Sequence, residues 1–345
     1  MGSQTALPII DSHIHLYPAS EVDSLAWYSN DHPLAGQHSV DEYRQATKPE
    51  TSLEGYIFIE TDRKNDLKTG ERDGSGWKEP LAELSWIKRV ALGQPRPHEG
   101  HRPQDSKLCL GMVLWAPMPS NIRAMEKYIL KVQEEAGLAR SKVKGFRYLL
   151  QDKPDGTMLE SDFIANAKML GRHGFTFDLC IDSNRRGQSQ LDDVIELTRL
   201  VSEGVPENER IVLVLDHLGK PNLSDQNAMT DAAFIAWRTS MQILGQYSHV
   251  YVKLSGGFAE MGDCVDSLSF GDLCKRLQKW FKVILEAFGS DRIMFASDWP
   301  VCTIDASDAW VRWRDLVLEL CRISGLTMEE QKLIFADTAR KAYKL

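Results

Sequence analysis

His13 and His15 stand two residues apart in the run Ile9-Ile10-Asp11-Ser12-His13-Ile14-His15-Leu16. Side chains of an extended strand alternate between faces, so both imidazoles project to one side, about 7 Å apart along the strand. That spacing suits two ligands of one metal ion. Ile10, Ser12, Ile14 and Leu16 fall on the opposite face, ready to pack on a helix. A His-x-His pair is a weak signal by itself in a chain with 9 histidines. It gains weight from polar residues that close other candidate strands far along the chain: Glu60, Arg147, Asp178, His217, Lys253 and Asp298.

Regular alternation within each strand predicts which of these share an axis. Tyr56, Phe58 and Glu60 form one inward set, and Leu213 and Leu215 lead to His217. Thr176, Asp178 and Cys180 form another, as do Tyr251, Lys253 and Ser255. Met294, Ala296 and Asp298 face the axis while Ile293 and Phe295 face helices. By the same rule Asp216 points away and is expected to order a loop or to support the site from behind. Glu60 has a second reading as a salt-bridge partner of Arg147 or Lys253, and Asp178 a second reading as structural. Burying this many charges is costly unless they are paired or bound to something, so a shared function is the simpler explanation of the group. His32, His38, His98, His101, His173 and His249 are expected at the surface.

Strands that would carry these residues are predicted at Gly55 to Glu60, Leu108 to Trp115, Val143 to Leu150, Phe175 to Ile181, Ile211 to His217, Val250 to Ser255 and Arg292 to Asp298, after the first at Ile9 to Leu16. Helical stretches follow each, and a Thr327-x-x-Glu330 capping box opens the last. Eight βα units in one chain of 345 residues imply a parallel sheet closed into a (β/α)8 TIM barrel. The expected organisation is one domain over 1–345 with a polar insertion around 61–107, either a lid over the mouth or a contact with a second subunit. No Gly-x-Gly-x-x-Gly or P-loop motif supports a nucleotide fold.

A hydrophobic content of 43% supports a large core, and a net charge of −8 without a long basic run argues against nucleic acid or an anionic membrane as partner. Six scattered cysteines, without Cys-x-x-Cys, read as reduced thiols. The Met1-Gly2-Ser3-Gln4-Thr5-Ala6 start has no signal-peptide or myristoylation pattern, so the cytoplasm is the expected compartment.

Together, Ile-Asp-Ser-His-Ile-His-Leu at 10–16, Gly-Phe-Arg-Tyr-Leu-Leu-Gln at 145–151, Leu-Asp-His-Leu-Gly-Lys-Pro at 215–221, Val-Lys-Leu-Ser-Gly at 252–256 and Phe-Ala-Ser-Asp-Trp-Pro-Val at 295–301 resemble the amidohydrolase superfamily. More narrowly they resemble its branch of TIM-barrel lactonases, and the N-terminal stretch and Tyr148 are most similar to fungal L-rhamnono-γ-lactonases. The resemblance implies a hydrolase that opens a sugar-acid lactone. His13, His15, His217 and Asp298 match metal ligands, with Asp298 and His217 as catalytic groups. Arg147 matches a substrate-holding arginine, and Lys253, Asp178, Glu60 and Trp299 are further candidate substrate contacts. The chain departs from better-known members in having Arg147 where a carboxylatable lysine would end the fourth strand, and Asp178 where a histidine would end the fifth. The implied cofactor is therefore a single divalent ion, zinc by the donor set, with metal-independent catalysis as the alternative. The rival activities are another C–O or C–N hydrolysis of this superfamily and decarboxylation of an aromatic acid, which generally goes with an acidic ligand after strand one. A ligand-binding barrel without turnover is the reading from another class. The partner implied is a small lactone, with a homo-oligomer left open.

Overall fold

The computed structural model describes residues 7–48, 50–224, 231–262, 265–304 and 306–345. Met1 to Ala6 and Cys264 therefore lie outside the described residues. Eight parallel strands pair in chain order: β1 (Ile9–Ile14), β2 (Leu53–Ile59), β3 (Cys109–Trp115), β4 (Val143–Arg147), β5 (Thr176–Leu179), β6 (Val212–Leu215), β7 (Val250–Leu254) and β8 (Ile293–Phe295). Between them run α1 (Val40–Thr47), α2 (Leu67–Asp73), α3 (Lys78–Leu92), α4 (Ile122–Ala136), α5 (Ser161–Arg172), α6 (Ser189–Ser202), α7 (Ala232–Leu244), α8 (Gly257–Met261), α9 (Phe270–Phe288) and α10 (Ala309–Ile323). α11 (Met328–Lys332), opened by the Thr327–Glu330 capping box, and α12 (Thr338–Tyr343) complete the chain. Strand order and one crossover helix per strand make a nearly closed (β/α)8 barrel.

Two apolar layers hold it together. Tyr56, Phe58, Met112, Leu114, Phe177, Leu213, Leu215, Val252 and Phe295 pack outward against the helices. A smaller cluster of Ile10, Ile57, Ile59, Val113, Val214, Tyr251 and Met294 fills the interior, plugged by Ala336, Ala339 and Tyr343 from the C-terminal turns. These layers correct the alternation predicted for three strands. Ile10 faces inward, because the β1–β2 pairing shifts register between Asp11 and Ile14. In β2 the inward residues are Ile57 and Ile59 rather than Tyr56 and Phe58, and in β6 Val214 rather than Leu213 and Leu215. The β1 shift adds one residue to that strand and reverses the faces beyond it, and in β6 the count fails at the left-handed backbone of His217.

The seam between β1 and β8 is closed largely by side chains. Ser12 Oγ donates to the Phe295 carbonyl at 2.7 Å, and the Asp11 carboxylate accepts from Ser297 N at 2.8 Å and Ser297 Oγ at 2.6 Å. Trp310 Nε1 and Tyr43 OH donate to the same carboxylate at 2.8 and 3.0 Å. The first and last sequence motifs thus bind one another directly. Within 61–107, α3 is the crossover from β2 to β3, with Leu84, Trp86, Ile87 and Val90 buried in the outer core. Cys109, Cys180, Cys274, Cys302 and Cys321 are free and buried. Among the described residues no helix is long and apolar enough to cross a membrane.

Candidate active site

The site lies at the C-terminal ends of the strands, where the backbone stops being extended. His13 and His15 both reach it because the β1 register shift turns His13 inward near the strand end. Asp298, three residues past β8, has φ +62, and its N–H donates to the His13 carbonyl at 3.0 Å. His217, two residues past β6, has φ +52. Left-handed backbone costs a residue with a side chain roughly 1–2 kcal/mol and is held only where the surroundings demand it. Here it brings both groups to one opening. Gly256 makes the room: a Cβ there would stand 2.9 Å from the His217 ring, and its own φ is +68. The preceding residue orients that ring, since Ser255 Oγ lies 2.8 Å from His217 Nδ1.

Four ligand-type atoms converge. His13 Nε2 lies 3.1 Å from His15 Nε2 and 3.6 Å from Asp298 Oδ1; His15 Nε2 and His217 Nε2 lie 3.5 and 3.8 Å from the same oxygen. Tetrahedral ligands about 2.0–2.1 Å from a zinc ion stand about 3.3–3.4 Å from one another; His13, His15 and Asp298 offer atoms near that spacing, while His217 stands at the edge of the set and groups with His13 and Asp216. Proton placement agrees. His15 Nδ1 faces the Ile59 carbonyl at 3.0 Å, a group that only accepts. His13 Nδ1 faces Asp216 Oδ1 at 3.2 Å. Assigned from these partners, both rings hold their proton on Nδ1 and turn Nε2 lone pairs toward each other and toward a carboxylate. Such a group of acceptors needs a positive charge among them. Burial, reinforced by Lys253, holds His13 well below the usual imidazole range, and burial pushes His217 down to about 4. A metal ion fits the place better than a proton.

Asp298 stays ionised. Burial alone would raise its pKa, but the imidazoles gathered at its oxygen, His217 foremost and then His15 and His13, hold it below the usual carboxylate range.

Beneath these ligands is a paired set of buried charges. Lys253 Nζ contacts Asp178, lies 3.1 Å from Asp216 Oδ1 and 3.1 Å from His13 Nδ1. Tyr343 OH donates to Asp178 at 2.8 Å from the barrel plug. Arg147 donates through Nε to Glu60 Oε1 and through Nη2 to the Glu60 carbonyl, both at 2.6 Å, with Nη1 3.8 Å from Asp216 Oδ2. Asp216 therefore faces the axis, contrary to the sequence expectation. In β6 Val214 is the inward residue, so Asp216 inherits its face, and the kink at His217 then brings the next side chain in as well. Burial works against ionised Asp216, but Lys253 and His13 hold its carboxyl well below the usual range.

A cavity of about 290 Å³ opens above the ligands. Of the predicted residues, His15, Arg147, His217 and Asp298 line it. His13 lies just below, against His15. Lys253, Asp178 and Glu60 are fully buried behind the ligands. The structure does not bring Trp299 to the cavity: its ring packs against Tyr43 and His38 at 5.4 and 5.6 Å, and its carbonyl accepts from His15 N at 2.7 Å. His32, expected at the surface, lines the cavity against Trp27, while His101 and His249 are buried beside Glu99 and Ser202. Sequence reasoning missed Asp62, which lines the cavity, and the clamp made by Asp11. Asp11 had a readable signal in its place within the His-x-His motif; Asp62 had none.

Three imidazoles and a carboxylate at the mouth of a parallel barrel define the site of a barrel enzyme able to hold a divalent ion. The chain belongs to the amidohydrolase family, whose model matches residues 113–345. It is 33% identical over 345 residues to an L-rhamnono-γ-lactonase of Scheffersomyces stipitis, covering 98% of both chains. It is 31% identical over 212 residues to an L-fucono-1,5-lactonase of Burkholderia multivorans, covering 59% of this chain and 64% of that one. A crystal structure of an amidohydrolase from Burkholderia multivorans with bound zinc superposes with a TM-score of 0.68 at 26% identity, over 98% of this chain and 99% of that one.

Proposed function

We propose that the protein opens a sugar-acid lactone, an aldonolactone such as L-rhamnono-γ-lactone, by attack of water on the ring carbonyl. The observation that carries this reading is the convergence of His13, His15 and His217 on one oxygen of ionised Asp298 at the floor of a cavity of about 290 Å³. The lactonase names of two relatives give the substrate class.

His13, His15 and Asp298 would hold one zinc ion beside His217, with a position left open, and the ion when bound polarises a carbonyl and makes water more acidic. Asp298 takes the proton of the attacking water and returns it to the ring oxygen as the C–O bond breaks. His217, held by Ser255, faces the carbonyl oxygen. Arg147, with two of its nitrogens committed to Glu60, presents its remaining edge to the substrate. Lys253, Asp178 and Glu60 are positioning residues in this scheme, because none of them borders the cavity. We assign the whole of 1–345 to one barrel domain.

The test is a panel of five- and six-membered aldonolactones, followed by acid release at constant pH, with the Asp298→Asn variant alongside. Opening of at least one lactone by the wild type and a loss of about 10²-fold or more in the variant are expected. Turnover of dihydroxybenzoates without any lactone opening would establish the decarboxylase reading instead.

A further inference from the structure

The cavity has two unlike walls. Tyr17, Trp27, Leu34 and Ile304 form an apolar one, and the β1–α1 connection that carries the first three is tied to the end of β2. Trp27 Nε1 donates to the Thr61 carbonyl at 3.0 Å, and Ala26 N donates to the Asp62 carbonyl at 2.8 Å. The rest of the lining is largely polar. Its cations are already engaged: Arg147 by Glu60, and Lys220 by the side-chain oxygen of Gln151.

Asp62 is the exception there. Its backbone is fixed from both sides, by Ala26 N on its carbonyl and by its own N–H donating to Glu60 Oε2 at 2.6 Å. Its φ of +57 is a conformation that few residues with a side chain adopt. Yet its carboxylate, which lines the cavity, makes no hydrogen bond or ion pair among the described residues. Glu60 thus pins a donor, Arg147, with one oxygen and an acceptor, Asp62, with the other. A carboxylate held this way lacks only a hydroxyl donor, and the Trp27 ring, bonded to the neighbouring Thr61 carbonyl and lining the same cavity, suits the C–H face of a sugar ring.

We propose that Asp62 is a specificity-determining residue: its carboxylate accepts hydrogen bonds from the hydroxyls of a neutral polyhydroxylated lactone and turns away lactones that carry a carboxylate of their own. This rests on the lactonase reading above. Asp152, in the same lining, adds a second negative charge, so that the two carboxylates outnumber the one cation there, Lys220, that no carboxylate pairs among the described residues. Like charges at close range in a partly desolvated cavity repel far more strongly than in water. The same field favours departure of the product, which gains a carboxylate as the ring opens.

The experiment compares kcat/KM for a neutral lactone, L-rhamnono-γ-lactone, and an anionic one, D-glucaro-1,4-lactone, in the wild type, Asp62→Asn and Asp62→Gly. Asparagine and glycine both tolerate positive φ, so the fold is expected to survive in each. The wild type prefers the neutral lactone. The variants lose about tenfold on it, chiefly through KM, and gain about tenfold on the anionic one relative to wild type. A preference unchanged within about threefold in the folded variants overturns the role of Asp62 while leaving the lactonase reading intact. Failure of both variants to fold makes Asp62 a structural residue and overturns it equally. A wild type that opens neither these nor any other lactone overturns both.

Discussion

Asp216→Asn changes one atom's charge at the point where the buried network meets the ligands. Asp216 Oδ1 lies 3.2 Å from His13 Nδ1 and 3.1 Å from Lys253 Nζ. The ionised carboxylate keeps the His13 proton on Nδ1 although the Lys253 ammonium stands 3.1 Å from the same nitrogen. A neutral amide holds both less strongly. Lys253, still paired with Asp178, then donates to His13 Nδ1 at 3.1 Å and drives the ring proton to Nε2, where it blocks a ligand lone pair. Loss of such a supporting partner weakens metal binding by about 10–100-fold, roughly 1.4–2.8 kcal/mol. Calorimetric zinc titration of chelator-stripped protein against a competing chelator reads this directly, with the melting temperature as a control on folding. Lactone opening should fall at limiting zinc and recover in part at saturating zinc. A folded variant that binds zinc within about twofold of wild type would refute the tautomer argument.

Gly256→Ala places a Cβ 2.9 Å from the His217 ring on a residue with φ +68, so it should cost about 1–2 kcal/mol in unfolding free energy and lower kcat for lactone opening through a displaced His217; denaturant unfolding and steady-state kinetics check the two effects. Burial, with Glu60 and Asp152 adding to it and Arg147 and Lys153 opposing it, pushes Asp62 up to about 6. Below that pH the carboxyl is protonated and above it is an acceptor, so KM for a neutral lactone should fall as pH rises through about 6. The Asp62→Asn variant should not show that fall, and an identical KM profile in both proteins would contradict it.

The fold was legible because βα alternation survives every local irregularity: all eight strands lie where β-branched and aromatic runs place them, and the crossover helices follow. The site was legible only in part, and the gaps share one cause. Strict alternation holds only as far as the strands stay regular. β4, β6 and β8 end at Arg147, Leu215 and Phe295, earlier than expected, and the site residues beyond β6 and β8 sit on kinked backbone. His13 and His15 emerged as neighbours although β1 is not a regular strand, because the register shift falls between Asp11 and Ile14 and restores the face they need. Alternation counted back from His217 turns Asp216 outward, and the left-handed φ of His217 breaks that count. Trp299, adjacent to Asp298 in sequence, turns to Tyr43 and His38 for the same reason. Asp62 gives no sequence signal because its place depends on contacts with the β1–α1 connection, 36 residues upstream at Ala26.

In the proposed mechanism His13, His15 and Asp298 hold one ion beside His217, and the lactone is opened over it. The most direct measurement is the rate of aldonolactone opening by chelator-stripped protein as zinc is added back. The rate should start near zero and saturate at about one equivalent per chain. Full-rate opening by the stripped protein, unchanged by zinc, would contradict that mechanism.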